Sequence, residues 1–458
     1  MNIPELIQSQ RKFFKSDITK DIGIRKRHLK KLRQEIISNE TAIYDALRKD
    51  FNKPEFESYL SELGIVLNEI DLALKHLHKW TSPKRVQPSL LNFPSKDYII
   101  TEPYGCVLVI SPWNYPFQLA ISPVVSAVAA GNTVVVKPSE LTPHTSQLVA
   151  QILSRVFEQA YVATVQGGIP EATALLNERW DYIFFTGSVP VGKIVAKAAA
   201  PHLTPVTLEL GGKSPCIIDR NVNLKLTAKR LVWGKFLNAG QTCIAPDYII
   251  VHHQIKSKLI EAIKFEITKA YGQDPEKSED YARVINARNF ERLSRILDES
   301  EICLGGQQNA ASNYIAPTLI DNPQIDSLAM QDEIFGPVLP LFTFETENDI
   351  DRIVTHFEKP LSFYVFSKNS KFSKRMTQKY SFGGGVINDT MVHFGNHRLP
   401  FGGVGESGMG AYHGRHGFET FSHKKPIVKK ANWLDFPIRY APYKGKLKAL
   451  KFFFKWLS

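Results

Sequence analysis

Gly105-Cys106-Val107-Leu108-Val109-Ile110 runs directly into Ser111-Pro112-Trp113-Asn114-Tyr115-Pro116-Phe117, and this stretch decides the fold. A short run of five apolar residues opened by a glycine reads as a parallel strand buried on both faces. Phe117 to Ala130 then reads as an apolar helix rich in small residues. Thr133-Val134-Val135-Val136 is the next strand, ending in Lys137-Pro138-Ser139-Glu140. Gln147 to Phe157 is helical, and Ala163-Thr164-Val165-Gln166 and Tyr182-Ile183-Phe184-Phe185 resume the sheet. Strand and helix alternate throughout, which predicts an α/β chain with a doubly wound sheet. Ligands of such sheets sit beyond the carboxyl ends of the strands.

Working outward, 458 residues suit two or three domains, and 43% hydrophobic content can bury sizeable cores. Cys106, Cys216, Cys243 and Cys303 are far apart in the chain, with no CxxC or Cys/His cluster. That excludes a disulfide framework, predicts no metal site and fits a reducing cytoplasm. The N-terminus has no apolar signal core, so no secretion signal is expected. No run of 18 apolar residues occurs, so no membrane-spanning helix is expected either. The formal charge of +12 is concentrated at one end. From Lys424 onward ten Lys or Arg face the single acid Asp435, which accounts for nine of the twelve charges. The body is near balance, and a nucleic-acid groove is not expected.

Residues 1 to about 80 read as helices, interrupted at Asn52-Lys53-Pro54, and are expected to be scaffold. From Ser82 to Glu102 the prolines at 83, 88 and 94 bracket Leu90-Leu91 and Tyr98-Ile99-Ile100, which read as two exposed strands. Their edges need a partner. Beyond Gly211 the pattern predicts strands at Pro215–Ile218, Tyr248–Val251, Ala316–Ile320, Ser362–Phe366 and Gly385–Asn388. Helices are expected at Leu224–Asn238 and Gln254–Tyr271.

Two residues stand out for chemistry. Cys243 lies in Gly240-Gln241-Thr242-Cys243, and Glu209 in Leu208-Glu209-Leu210-Gly211-Gly212-Lys213. A nucleophilic cysteine needs either a lowered pKa or a base nearby. A carboxylate between two leucines at a strand end is expected to be desolvated, which raises its pKa toward that of a general base. Each signal is weak alone, because an isolated cysteine is more often a small buried hydrophobe.

Seven motifs in order change that balance. They are SPWNYPF (111–117), VVKPSE (135–140), FFTGSVPVGK (184–193), LELGGK (208–213), GQTCIAPDY (240–248), DEIFGP (332–337) and LPFGGVGESGMGAYHGRHGFETFSHKK (399–425). From about residue 5 to about residue 435 the chain resembles the NAD(P)-dependent aldehyde dehydrogenases, most closely their class 3 branch acting on fatty and aromatic aldehydes. The resemblance implies a cofactor-binding domain (1–81 and 103–210), a catalytic domain (211–395) and bridging segments (82–102 and 396–435) that join subunits into a homodimer. It leaves 436–458 as a basic tail. Cys243 would be the nucleophile, Glu209 the base that activates water, and Asn114 the side-chain donor to the oxyanion. Lys137 and Glu140 would contact the adenosine ribose. Gly187, Ser188 and Gly192 would cradle the pyrophosphate, although Val189 stands where many relatives carry Thr. Glu333 and Phe335 would hold the nicotinamide ribose and ring. A carboxylate accepts from ribose hydroxyls while a lysine attracts a 2′-phosphate, so NAD is expected and NADP is allowed. Trp113, Tyr115, Trp233 and Phe394 are expected to wall an apolar substrate site, with Pro400-Phe401-Gly402-Gly403 at its mouth.

Two other readings stay open at this point. A CoA-acylating relative would have no need of Glu209. A non-catalytic, membrane-associated binding protein would have no need of Cys243, Glu209 and Asn114 together. The tail carries Leu447, Leu450, Phe454 and Leu457 on one helical face and Lys448, Lys451 and Lys455 on another. That pattern fits a helix lying in a membrane interface, and equally one packed on protein near the substrate entrance.

Overall fold

The computed structural model describes residues 2–457, and of Leu91, Phe453, Trp456 and Leu457 the backbone alone. Five helical segments open the chain, at Ile3–Lys15, Ile22–Ser38, Glu40–Phe51, Glu55–Ser58 and Gly64–Thr81. In the second, Arg25, Leu29, Leu32 and Ile36 are buried at three- and four-residue spacing, so one stripe faces the core. Each fully buried leucine there contributes roughly 1.5–3 kcal/mol.

The first sheet has six strands in the order Gly408–Met409, Val206–Glu209, Tyr182–Thr186, Cys106–Ile110, Thr133–Lys137, Val162–Thr164. All pairings are parallel except that of Gly408–Met409 with Val206–Glu209. Every residue of Cys106–Ile110 is buried, and so is every residue of the helix Gln118–Ala130. The second sheet has seven strands in the order Ile302–Leu304, Thr318–Asp321, Val338–Phe344, Tyr248–His252, Pro215–Ile218, Ser362–Phe366, Gly384–Ile387. The chain passes from the first sheet to the second between Glu209 and Pro215.

Four expectations need correction. The outer strand of the protruding sheet is Lys84–Val86, paired antiparallel with Ser95–Pro103, and Leu90–Asn92 is a single 3-10 turn. Pro88 and Pro94 deprive the intervening segment of ladder donors, so pairing takes place upstream of Pro88. The segment 396–435 is not one bridging unit. Gly408–Met409 joins the first sheet, helix Gly414–Thr420 packs on the helices Gln118–Ala130 and Gly64–Thr81, and only Ser422–Lys430 enters the protruding sheet. The helix that starts at Leu224 ends at Phe236, because Asn238 and Ala239 turn into the left-handed region. Strand Val338–Phe344, central in the second sheet, was not expected, since Pro340 argues against an interior strand.

Within the tail, Leu447–Leu457 forms a helix. Leu447, Leu450 and Phe454 are exposed, while the Leu457 side chain and Ser458 lie outside the described residues. None of the described helices is long and apolar enough to cross a membrane.

Candidate active site

A cavity of 510 Å³ opens between the two sheets, and Cys243 and Glu209 both line it. Glu209 arrives at the end of Val206–Glu209, held by Thr186 of one neighbouring strand and Gly408 of the other. Cys243 arrives from the opposite side, on the loop after helix Leu224–Phe236. That loop makes a sharp left-handed bend, with φ of 55° at Asn238, 50° at Ala239 and 74° at Gly240. At Gly240 the bend needs glycine on a second ground: a β-carbon there would lie 2.3 Å from the Gly336 carbonyl oxygen.

Glu209 is 3% exposed, and neither carboxylate oxygen has a hydrogen-bond partner among the described residues. Burial alone holds its pKa well above the usual carboxylate range. Cys243 is half-buried. Burial, followed by the charges of Glu333 and Glu209, pushes its thiol up, while the N–H groups of Cys243 and Ile244 pull the other way. A lowered thiol pKa, one of the two conditions set by the sequence, is therefore not met here. A base nearby, the second condition, is present.

Asn114 is buried, and its Nδ2 donates to the Gln241 carbonyl at 3.1 Å. Its own carbonyl accepts from Asn238 Nδ2 at 2.9 Å, which ties the Trp113-Asn114-Tyr115 turn to the cysteine loop. Tyr115 OH lies 2.5 Å from Thr242 Oγ1. Tyr115, Trp233, Phe394 and Phe401 line the cavity. Trp113 does not. Its ring packs edge-on against Phe335, 5.2 Å between centroids, on the other side of the turn.

Of the expected cofactor residues, Lys137, Glu140, Gly187, Ser188 and Gly192 follow the carboxyl ends of first-sheet strands, while Glu333 and Phe335 lie on the loop that enters Val338–Phe344 of the second sheet. Lys137 Nζ donates to Glu140 Oε2 at 2.6 Å, with the lysine buried and the carboxylate part-exposed. Gly187 follows strand Tyr182–Thr186, and Ser188 caps helix Val189–Ala199 without using its side chain, so the helix's first N–H groups stay available for an anion. A β-carbon at Gly192 would fall 2.8 Å from Leu210 Cδ2, so this helix packs closely on the residue that follows the strand end. Nearby Ile169, Val191 and Ile194 are exposed apolar side chains, at the start of helix Ile169–Leu176 and on the helix Val189–Ala199 that touches it. An apolar slot beside a helix N-terminus and a Lys/Glu pair fits a dinucleotide. Glu333 accepts from the Gly212 N–H, and burial raises its pKa. Phe335 sits at φ 50°. Among the described residues no cluster could hold a metal ion.

The sequence reading missed the contribution of the first 80 residues. Leu60, Ser61 and Ile65 line the cavity. Lys53, Glu57 and Glu62 lie buried behind it. The one available signal was the break at Asn52-Lys53-Pro54 followed by acids within an otherwise apolar pattern.

Residues 2–427 match the model of the aldehyde dehydrogenase family. The chain is 46% identical to 4,4′-diaponeurosporen-aldehyde dehydrogenase of Staphylococcus aureus (strain NCTC 8325 / PS 47), covering 99% of this chain and 100% of that one. It is 44% identical to the dimeric NADP-preferring aldehyde dehydrogenase of Rattus norvegicus, covering 97% of this chain and 99% of that one. The substrate-bound structure of Staphylococcus aureus AldH superimposes with a TM-score of 0.97 at 46% identity, over 99% of this chain and 100% of that one. The chain belongs to the aldehyde dehydrogenase family. It is an oxidoreductase that converts an aldehyde to the carboxylic acid.

Proposed function

We propose that this enzyme oxidises an apolar aldehyde, medium- or long-chain aliphatic or aromatic, through a thioester on Cys243, with NAD(P)+ as oxidant. The observation that carries this reading is an apolar-lined cavity that presents a cysteine together with a carboxylate that has no hydrogen-bond partner among the described residues. In the resting site the thiol holds its proton tightly. Attack on the carbonyl carbon therefore requires that proton to pass to a nearby base, and Glu209 and Glu333, both held above the usual carboxylate range by burial, are the carboxylates beside the thiol. Carbon–sulfur bond formation leaves a thiohemiacetal oxyanion. One N–H of the Asn114 amide is held by Gln241. The other, with the Cys243 backbone N–H, is the pair for that oxygen. Bound NAD(P)+ supplies the acceptor for the hydride. With the first proton passed on to solvent, Glu209 takes a proton from water, whose oxygen attacks the thioester carbon; the carbon–sulfur bond breaks, the sulfur takes the proton back from Glu209, and the acid and the thiol are released.

For the cofactor, Lys137 and Glu140 would hold the adenosine ribose, Gly187, Ser188 and Gly192 the pyrophosphate, and Glu333 and Phe335 the nicotinamide ribose and ring. The ion pair between Lys137 and Glu140 favours NAD, because the carboxylate repels a 2′-phosphate. The test is a series of straight-chain aldehydes with each cofactor. Burying one more methylene is worth about 0.8 kcal/mol, so kcat/KM should rise about fourfold per carbon until the cavity is filled. A flat series would refute an apolar substrate.

Assembly and location belong to the same reading. The three-stranded sheet of Lys84–Val86, Ser95–Pro103 and Ser422–Lys430 leaves an edge suited to a second subunit, which supports a homodimer. Beyond Asp435 the chain has six Lys or Arg and no acid. In this stretch Tyr443, Leu447 and Phe452 are at least 60% exposed, and Trp433 just before it is 77% exposed. A basic, apolar and exposed tail supports peripheral contact with an anionic membrane, where apolar aldehydes partition. Deleting residues 444–458 should abolish co-sedimentation with anionic vesicles at low salt. Equal sedimentation of the truncated protein would remove the tail from this role.

A further inference from the structure

Three charged side chains of the N-terminal helices are buried beside the active centre. Lys53 is 1% exposed and Glu62 is 0% exposed, and Lys53 Nζ meets Glu62 Oε1 at 2.7 Å. The ammonium also lies 4.1 Å from the centre of the Tyr115 ring. Glu62 Oε2 accepts the backbone N–H groups of Phe117 and Gln118, at 2.8 and 3.2 Å, where the helix after Asn114 begins. Glu57 is buried and reaches the other side of the site: its Oε2 accepts the Asn238 N–H at 2.9 Å. Asn238 opens the left-handed bend that precedes Cys243, and its Nδ2 holds both the Asn114 carbonyl and, at 3.1 Å, the Gln241 carbonyl.

Burying charged groups is costly, and packed apolar residues would hold a scaffold at least as well. A left-handed bend with non-glycine residues at two of its three positions also persists only where its surroundings over-determine it. Glu57 supplies that constraint on the one N–H that begins the bend. Lys53 and Glu62 fix the turn that carries Asn114 and Tyr115, and Tyr115 closes the circuit on Thr242.

We infer that Glu57 is a positioning residue for catalysis, holding the Asn238-Ala239-Gly240 bend so that Cys243 and Asn114 stay aligned on the substrate carbonyl, with Lys53 and Glu62 bracing the Asn114 turn. This inference rests on the proposed roles of Cys243 and Asn114. Loss of activity in a Cys243 variant tests those roles separately.

The experiment compares Glu57→Ala, Glu57→Asp and Glu57→Gln in the full-length protein. Each is measured for kcat, KM, cofactor dissociation constant, melting temperature and the rate at which iodoacetamide alkylates Cys243, read by peptide mass spectrometry. Misplacement of reacting groups by about 1 Å costs about 100-fold, so Ala and Asp should lower kcat by about 10- to 100-fold and change the Cys243 alkylation rate, with KM and cofactor binding near parental. Gln keeps an acceptor oxygen at the same reach and should restore most of the kcat that Ala loses. Asp keeps the charge but is one methylene too short for the Asn238 N–H, so it remains informative if Ala does not fold. Parental kcat in folded Glu57→Asp overturns the inference. So does an equal loss of kcat in Gln and Ala, or a fall in kcat with unchanged Cys243 alkylation.

Discussion

Replacing Glu209 by Gln separates the two halves of the reaction. The side chain sits at the end of a strand paired on both sides, so the amide occupies the same place. What is lost is the ionisable oxygen. General-base catalysis contributes about 10²- to 10⁴-fold, and steady-state kcat should fall by that factor. Acylation with hydride transfer should survive, because Glu333 remains as a second, part-buried carboxylate near the thiol. Rapid mixing with aldehyde and NAD(P)+ should then give a burst of reduced cofactor of about one equivalent per subunit, followed by a slow phase. Intact-mass spectrometry should show the acyl group on Cys243. Stability provides an independent check on the same residue. Burial raises the folded pKa of Glu209 above its ordinary value of 4.5, so above that pH the unfolded chain releases the proton more readily than the folded one. The wild-type carboxyl therefore weakens the fold at neutral pH, and the penalty vanishes as the pH drops below the unfolded value. Glu209→Gln should melt no lower than the parent at pH 7 and lose that advantage at pH 4. Unchanged steady-state kcat would assign water activation to another group, and a neutral-pH melting point well below the parent's would contradict the desolvated carboxylate.

Cys243→Ala should abolish aldehyde oxidation while leaving cofactor affinity near parental, and turnover near the parent rate in the purified variant would overturn the assignment. Alkylation of Cys243 by iodoacetamide should be slow at pH 7 and climb about tenfold per pH unit to pH 9, since burial and two carboxylates raise its thiol pKa; a plateau reached below pH 8 would contradict that environment. Gly240→Ala should lower stability by more than about 1–2 kcal/mol, the cost of the left-handed conformation alone, because the Gly336 carbonyl blocks the new methyl group; an unchanged melting temperature would refute the geometry. Glu140→Gln removes the anion paired with Lys137, so the KM for NAD+ should rise about tenfold while that for NADP+ stays level or falls; parallel changes for both cofactors would dissociate the pair from ribose recognition.

The sequence by itself determined the elements whose signal is local. Cys106–Ile110 and Val134–Val136 are continuous apolar runs, as a strand buried on both faces requires. The glycines at 187, 192 and 240 and the ordered motifs around Asn114, Glu209 and Cys243 named the family, and the desolvation of Glu209 could be read from its two leucine neighbours. The tertiary structure decided whatever depends on residues far apart in the chain. Pairing across the sheet put the outer bridging strand at Lys84–Val86 and admitted Val338–Phe344 despite Pro340, because a ladder depends on the neighbouring strand as well as on local propensity. Only packing showed that Trp113 turns toward Phe335 and that Leu60 and Ile65, from helices read as scaffold, help to wall the cavity. The protonation of Cys243 was decided there too. A thiol's pKa is set by the water it loses and the charges brought beside it. Glu209 and Glu333 reach it from positions 34 residues before and 90 residues after it in the chain. Lys53, Glu57 and Glu62 carry the same lesson: nothing near residue 57 indicates that its carboxylate will meet the N–H of Asn238, 181 residues away.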